Sequence, residues 1–232
     1  MEMIRIENGI YDWQGFHLTI DVAVPANSIT AVLGPSGAGK STLLNLIAGF
    51  ETLSSGNIVL HGVEHSRTPP AQRPVSFVFQ DNNTFAHMSA RDNVAIGISP
   101  SLQLTDKQKT EVDDALAKVE LTSLANRKPA DMSGGERQRI ALARVLVRKR
   151  PILLLDEAFA ALGPALRKDM LELVQNLQRQ LQLTVLMVTH QPEDATTIAD
   201  RIIFVGEGQV HQAQPVSAFL NSEDKTTRNY LD

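Results

Sequence analysis

The chain has 232 residues, of which 43% are hydrophobic and 21% charged, and its formal net charge is −4. That length suits one large domain, or one domain that carries an inserted lobe. Because nucleic-acid-binding domains usually present a basic face, the slightly acidic balance predicts no nucleic-acid partner. The chain has no cysteine, which excludes disulfides, thiolate metal sites and cysteine nucleophiles and fits a reducing compartment.

No run of 18 or more apolar residues occurs, so the sequence predicts no membrane span. The N-terminus reads MEMIRIENG, with early acidic residues and no apolar h-region, and therefore does not have the pattern of a signal peptide. If the protein serves a membrane, we expect it to act from outside the lipid.

The first 80 residues contain short β-like runs, several of which alternate apolar and polar side chains as half-buried antiparallel strands do. These runs read IRIENG, HLTIDVAV, SITAVLG, NIVLHG and VSFVFQ. Residues 82–145 have few strand patterns, and their clearest predicted helices cover 105–120 and 136–149. Further along, ILLLDE and TVLMVTH are continuous apolar runs typical of strands in a parallel sheet, and a helical pattern joins them.

These patterns predict an α/β fold for a single domain over residues 1–232. Residues 1–81 and 146–232 are expected to form a core of mainly parallel sheet with an antiparallel β subdomain. Residues 82–145 are expected to form an inserted α-helical subdomain.

A glycine-rich loop follows the apolar run SITAVL and precedes the helix-like run STLLNLIAGF. Glycines let successive backbone N–H groups point at a polyphosphate, and the helix N-terminus adds a partial positive charge. In a loop of this kind Lys40 reaches the outer phosphates and Ser41 places its hydroxyl on Mg²⁺. We therefore predict a P-loop ATPase core that binds ATP and Mg²⁺. Residues 34–41 match the motif G-x-x-x-x-G-K-[ST] in full. The predicted ATP-binding residues are these eight and the residue that follows them: Gly34, Pro35, Ser36, Gly37, Ala38, Gly39, Lys40, Ser41 and Thr42.

A second motif ends the run ILLLDE, in which four apolar residues precede two carboxylates. We expect Asp156 to hold Mg²⁺, usually through water, and Glu157 to polarise the attacking water as general base. An exposed strand end could carry the same two residues, so this interpretation depends on the phosphate loop upstream.

A third motif, Ser133-Gly134-Gly135-Glu136, stands at the start of the helix predicted over 136–149. A hydroxyl, exposed backbone N–H groups and the helix dipole together form an anion site. Because the phosphate loop already provides one triphosphate site, we expect this second site to bind a nucleotide held by another copy of the chain. The alternative is a plain glycine-rich cap on an amphipathic helix.

With these motifs the sequence resembles the ABC transporter ATPase family over essentially its whole length. SGGERQR is similar to the family signature L-S-G-G-Q. The resemblance implies that Gln80 meets Mg²⁺ and water and senses the membrane subunit, and that His190 contacts the γ-phosphate. It also implies that Tyr11 stacks on adenine, with Trp13 as the alternative. The predicted catalytic residues are therefore Lys40, Gln80, Glu157 and His190, and the predicted metal-site residues are Ser41, Gln80 and Asp156.

Within that family, the segment TPPAQRPVSFVFQDNNTFAHMSARDNVAIGI and the short length resemble the ATPase subunits of bacterial thiamine importers. The resemblance implies two identical chains packed head to tail around two ATP molecules, at the cytoplasmic face of the inner membrane. It implies transmembrane permease subunits as partners and, indirectly, a periplasmic solute-binding protein. Because the solute binds in those other subunits, iron, molybdate, sulfate and polyamine importers remain alternatives, as does a soluble ATPase of the family.

Two further expectations concern particular segments. Residues 81–93 are expected to form most of the groove that receives the permease, with Phe85 and Met88 exposed; the alternative places both side chains inside the lobe. After the buried strand the family reads D-E-P-F-S-A-L-D, whereas this chain has Gly163 in place of the final Asp. That Asp belongs to the D-loop, which crosses the dimer, so the resemblance implies slowed hydrolysis and leaves open a nucleotide-binding regulator without turnover.

Overall fold

The computed structural model describes residues 1–79, 84–222, 227–228 and 230. The chain forms two compact units. The first unit comprises Met1–Val75, Pro151–Glu157 and Val174–Asp232, and the second comprises Ser76–Arg150 and Ala158–Leu173. The subdomain limits given above, at residues 82 and 145, stay a prediction.

Eleven strands and seven α-helices are present in the described part of the chain. The strands are β1 Glu2–Trp13, β2 Phe16–Pro25, β3 Ile29–Leu33, β4 Ser55–Leu60, β5 Val63–Glu64, β6 Val75–Val78, β7 Ile152–Asp156, β8 Thr184–Val188, β9 Arg201–Gly206, β10 Gln209–Val210 and β11 Gln214–Pro215. The helices are α1 Lys40–Ala48, α2 Ala90–Ala95, α3 Asp106–Lys118, α4 Gly134–Arg148, α5 Pro164–Leu181, α6 Pro192–Ile198 and α7 Val216–Leu220.

The first unit is built on a mixed sheet with the strand order β5-β4-β1-β2-β10-β9-β3-β8-β7, and β11 pairs with β9. β3, β8 and β7 are parallel to one another, as is β9 to β3, whereas β2, β1, β4 and β5 pair in antiparallel fashion. β3 and β8 are buried at every position, which is why their sequences are continuously apolar rather than alternating. The predicted α/β class, with a parallel core and an antiparallel β part, is confirmed.

The register of the parallel strands brings three loops to one edge of the sheet. Asp156 of β7 lies opposite Val188 of β8, and Val188 lies opposite Val32 of β3. Because these strands run in the same direction and end nearly level, the chain that follows each of them leaves the sheet at its carboxyl edge. The phosphate loop, Glu157 and His190 occur in those three loops.

The second unit contains α2, α3, α4 and the first part of α5. Two of its helices begin with a capping box, in which the N-cap side chain and the side chain at the third helical position each bond the other's backbone N–H. These pairs are Thr105 with Gln108 and Ser133 with Glu136. Arg144 on α4 donates through Nε to the carbonyl oxygen of Asn93 at 2.9 Å and so joins α4 to α2. Among the described residues, no helix is both long enough and apolar enough to cross a membrane.

Candidate active site

The phosphate loop connects β3 to α1 and has a backbone shape that requires glycine. A Cβ atom added to Gly34 would lie 2.0 Å from the carbonyl oxygen of Val205, so no other residue fits there. Gly37 and Gly39 have φ angles of 77° and 106°, in the left-handed region that favours glycine. The helix α1 begins directly at Lys40, which places its N-terminal N–H groups at the end of the loop.

The side chain of Lys40 is hydrogen-bonded to the backbone of the phosphate loop. Its Nζ donates hydrogen bonds to the carbonyl oxygens of Gly34 at 2.8 Å and Pro35 at 2.9 Å. The residue is only 7% exposed. Burial lowers the pKa of the Lys40 ammonium, whereas the nearby carboxylates of Glu157 and Asp156 act to raise it. A single buried cation is thus fixed beside the loop where an outer phosphate would bind.

Ser41 and Asp156 place two oxygen ligands next to each other. Ser41 Oγ donates to Asp156 Oδ1 at 3.0 Å. Burial raises the pKa of the Asp156 carboxyl, and the hydrogen bond from Ser41 opposes that shift. Mg²⁺ prefers oxygen ligands and is commonly held by one or two side chains together with substrate phosphates. The hydroxyl and carboxylate pair fits that requirement.

Glu157 and His190 lie close together beyond the ends of β7 and β8. Glu157 Oε2 is 3.5 Å from His190 Nδ1, and both side chains are partly exposed. The backbone N–H of Glu157 donates to the carbonyl oxygen of Val188 at 3.2 Å. Glu157 also has a φ angle of 47°, an unusual left-handed conformation for a residue with a long side chain. Strain of this kind is common at functional sites, where it aims a side chain.

These side chains border one cavity of about 310 Å³ in the first unit. Its lining residues are Phe16, Ser36, Gly37, Gly39, Lys40, Ser41, Thr42 and Glu157. The structure therefore brings the phosphate loop, the expected base and an aromatic ring to the same space. Asp156 and His190 do not line the cavity, but each contacts a residue that does: Asp156 accepts from Ser41, and His190 lies 3.5 Å from Glu157.

Tyr11 is not among the residues that line this cavity, and its stacking on adenine stays a prediction. Its ring is 6% exposed, and its hydroxyl donates to Glu51 Oε2 at 3.1 Å. The side chain belongs to the interior because it follows the inward alternation of β1. Trp13 at the end of β1 is 61% exposed and lies opposite Phe16 across the β1–β2 hairpin. Phe16, which the sequence patterns did not indicate, lines the cavity.

The Ser133-Gly134-Gly135 motif belongs to the second unit and begins α4. Ser133 is the N-cap: its Oγ accepts from the N–H of Glu136 at 3.3 Å, and its own N–H donates to Glu136 Oε2 at 2.7 Å. That backbone hydrogen bond lowers the pKa of the Glu136 carboxyl. A Cβ atom added to Gly135 would lie 2.7 Å from Leu166 Cδ2, so any other residue there would have to displace the Leu166 side chain. A helix N-terminus with a serine cap is present, as an anion site needs.

Two expectations concern the beginning of the second unit. Gln80 and residues 81–83 lie outside the described residues. Phe85 is 45% exposed, whereas Met88 is half-buried. Phe85 contributes to a groove of about 490 Å³, and the guanidinium of Arg144 lies 5.5 Å from the centre of its ring. Phe85 therefore has the exposure that a docking residue needs.

The model of the ABC transporter family matches residues 18–160, which include the phosphate loop, the Ser-Gly-Gly motif and the Asp-Glu pair. This chain belongs to the ABC transporter family. It is 54% identical, over 89% of its length and 82% of the relative's, to the thiamine import ATP-binding protein ThiQ of Mesorhizobium japonicum. It is 49% identical, over 98% of its length and 95% of the relative's, to the protein of that name in Brucella suis biovar 1.

Solved structures agree with this family membership. CbiO1 from Clostridium perfringens, part of the ABC transporter complex CbiONQ, is 28% identical and has a TM-score of 0.86 over 95% of this chain and 91% of its own. An ATP-binding cassette of an ABC transporter in its ADP conformation has a TM-score of 0.90, covers 100% of this chain and 98% of its own, and shares the fold at 23% identity. The chain is an ATPase of the ABC type.

Proposed function

We propose that this chain hydrolyses ATP to energise the import of thiamine, as the ATP-binding subunit of an inner-membrane ABC importer. The observation that supports ATP hydrolysis best is the convergence of Lys40, Ser41, Asp156, Glu157 and His190 at the edge of one sheet. The substrate is supported by the relatives, which are named for thiamine import and match most of both chains.

In the proposed mechanism each residue acts through the position that the fold gives it. The loop N–H groups and Lys40 bind the outer phosphates of ATP and orient the terminal one. Ser41 and Asp156 would hold Mg²⁺, which supplies charge neutralisation of the phosphate oxygens when it is bound. Glu157 accepts the proton of the attacking water at its carboxylate. His190, 3.5 Å from that carboxylate, orients it and contacts the terminal phosphate.

The proposal also requires a second copy of the chain. Each ATP would lie between the phosphate loop of one chain and the Ser133-Gly134-Gly135 turn of the other, with Trp13 and Phe16 beside the adenine. The permease subunits, which receive thiamine from a periplasmic binding protein, would dock where Phe85 is exposed, close in sequence to Gln80. The chain would then act as a peripheral subunit at the cytoplasmic face of the membrane.

Two measurements test the proposed function. Purified chain with Mg²⁺ and ATP should release phosphate, and Glu157→Gln should abolish the release while ATP still binds. Labelled thiamine uptake should be restored when this chain is supplied, with its permease and binding protein, to cells that lack their own thiamine importer. Phosphate release without thiamine uptake would point to a different solute, and ATP binding without phosphate release would support the regulator without turnover.

A further inference from the structure

We infer that Gln138 and Arg167 are positioning residues for the Ser133-Gly134-Gly135 turn, because they fix the backbone loop that packs on it. That loop comprises residues 158–162 (the 158–162 loop). The inference rests on the proposed function, in which that turn binds the ATP of a second copy. It concerns only residues of the second unit.

The side chain of Arg167 binds the backbone of the 158–162 loop. Its Nε donates to the carbonyl oxygen of Phe159 at 3.3 Å, and one terminal nitrogen donates to those of Ala160 at 3.0 Å and Leu162 at 3.3 Å. No ion pair of Arg167 is found among the residues that the structure describes. The rigid fork of donors on a guanidinium suits several acceptors at once, whereas a lysine ammonium acts as a single point. Arg167 therefore serves the shape of this loop.

Gln138 holds the other end of the loop from helix α4. Its Nε2 donates to the carbonyl oxygen of Ala158 at 2.6 Å, and the residue is 3% exposed. Its Oε1 is buried and has no hydrogen-bond partner within the described part of the chain. An unpartnered buried amide oxygen costs free energy, so an apolar residue of similar size would pack there more cheaply. The hydrogen bond from Gln138 Nε2 to Ala158 offsets the free-energy cost of the unpartnered oxygen.

The loop that these two side chains fix lies directly against the turn. The nearest atom to a Cβ added at Gly134 is Leu162 Cδ2 at 3.6 Å, and a Cβ at Gly135 would overlap Leu166. Leu166 therefore occupies the space that a side chain at Gly135 would need, and Leu162 lies beside the position of a side chain at Gly134. If the 158–162 loop moves, Leu162 moves with it, and the direction of those N–H groups changes.

The same contacts explain how the loop keeps its shape with a glycine at its end. Gly163 is exposed, and a Cβ added there would meet nothing within 4 Å. Gly163 therefore contributes no side-chain contact to the loop. Arg167 and Gln138 together bind four of its carbonyl oxygens, those of Ala158, Phe159, Ala160 and Leu162.

The test measures the ATP-dependent dimer in chains that carry Glu157→Gln, which should trap ATP. Adding Arg167→Met or Gln138→Met should weaken dimer formation about tenfold, because the 158–162 loop loses three hydrogen bonds in the first variant and one in the second. The affinity of the monomer for a fluorescent ATP analogue should stay within about twofold, since the turn belongs to the partner's site. Arg201→Met is the matched control, because Arg201 also donates to a backbone carbonyl, that of Ala213, in the first unit.

Thermal melting separates this role from a purely structural one. Both Arg201→Met and Arg167→Met should lower the melting temperature, but only Arg167→Met should weaken the dimer. Arg167→Lys keeps the charge with one donor nitrogen, should restore part of the dimer affinity, and replaces the Met variant if that variant does not fold. Dimers as tight as those of the Glu157→Gln parent would overturn the inference and leave the proposed function standing. A parent that forms no dimer at saturating ATP would overturn both.

Discussion

Glu157 combines a proposed catalytic role with a strained backbone, and the two can be separated by substitution. Its φ of 47° costs about 1–2 kcal/mol for a residue with a side chain. Glycine removes that strain but adds about 0.5–1 kcal/mol of backbone freedom to the unfolded chain. The contact of Glu157 with His190 is partly exposed and contributes little to stability. Glu157→Gly should therefore change the free energy of unfolding by no more than about 1 kcal/mol.

A β-branched residue at the same position gives the opposite result. Valine tolerates the left-handed region poorly, so Glu157→Val should lose about 1–3 kcal/mol of stability. For a protein of this size each kcal/mol corresponds to a shift of about 2–4 °C in melting temperature. Both variants lack the carboxylate that accepts the water proton, so turnover should fall about 10²- to 10⁴-fold in each.

Chemical denaturation and steady-state phosphate release on the two variants measure these effects. Gln182→Gly is the matched control, since Gln182 has a φ of 52° in an exposed turn after α5. That control should be as stable as the parent and fully active. If Glu157→Gly were destabilised as much as Glu157→Val, the backbone strain at this position would not be real.

Four other substitutions test separate parts of the site. Lys40→Ala should weaken ATP binding about 10- to 100-fold in equilibrium dialysis, because the outer phosphates lose charge-assisted hydrogen bonds. Burial raises the pKa of Asp156, so the ionised carboxylate lowers the free energy of unfolding once the pH exceeds the usual carboxyl pKa. Asp156→Asn should therefore stabilise the chain against urea more at pH 7 than at pH 4. Gly163→Asp should raise phosphate release about twofold or more. The free energy of unfolding should change by only a few tenths of a kcal/mol, because the space around Gly163 is open and glycine is an acceptable N-cap. Unchanged or lower turnover would show that Gly163 is neutral. Phe85→Glu should abolish thiamine uptake but spare basal phosphate release, and unchanged uptake would contradict docking at this groove.

Much of the fold could be predicted because its signals are local. The buried runs that became β3, β7 and β8 are apolar at nearly every position, as is typical of parallel strands covered on both faces. The phosphate loop could be predicted for a related reason, since its glycines adopt backbone conformations that other residues rarely adopt. The serine cap at Ser133 is likewise a short-range feature, formed with Glu136 three residues later.

The choice between Tyr11 and Trp13 could not be made from the sequence. Tyr11 and Trp13 are two residues apart on one strand, and position along the chain favoured Tyr11. Their exposure differs because Tyr11 is covered within the sheet, whereas Trp13 lies where the β1–β2 hairpin reaches its turn. Sequence patterns place strand ends only within a few residues, so they do not show which of the two aromatic residues is exposed. Phe16 was missed because the hairpin turn that brings it opposite Trp13 was not predicted.

The positioning residues were beyond prediction for a different reason. Gln138 binds Ala158, which is 20 residues away along the chain, through one side-chain nitrogen. No periodicity or capping rule relates two such positions, and Gln138 on its own reads as an ordinary polar residue of an amphipathic helix. The hydrogen bonds of Arg167 have the same character, since they join a helical side chain to carbonyl oxygens of the loop before it. A side chain that acts on backbone atoms leaves no complementary residue in the sequence, so roles of this kind appear only when the three-dimensional contacts of the 158–162 loop are known.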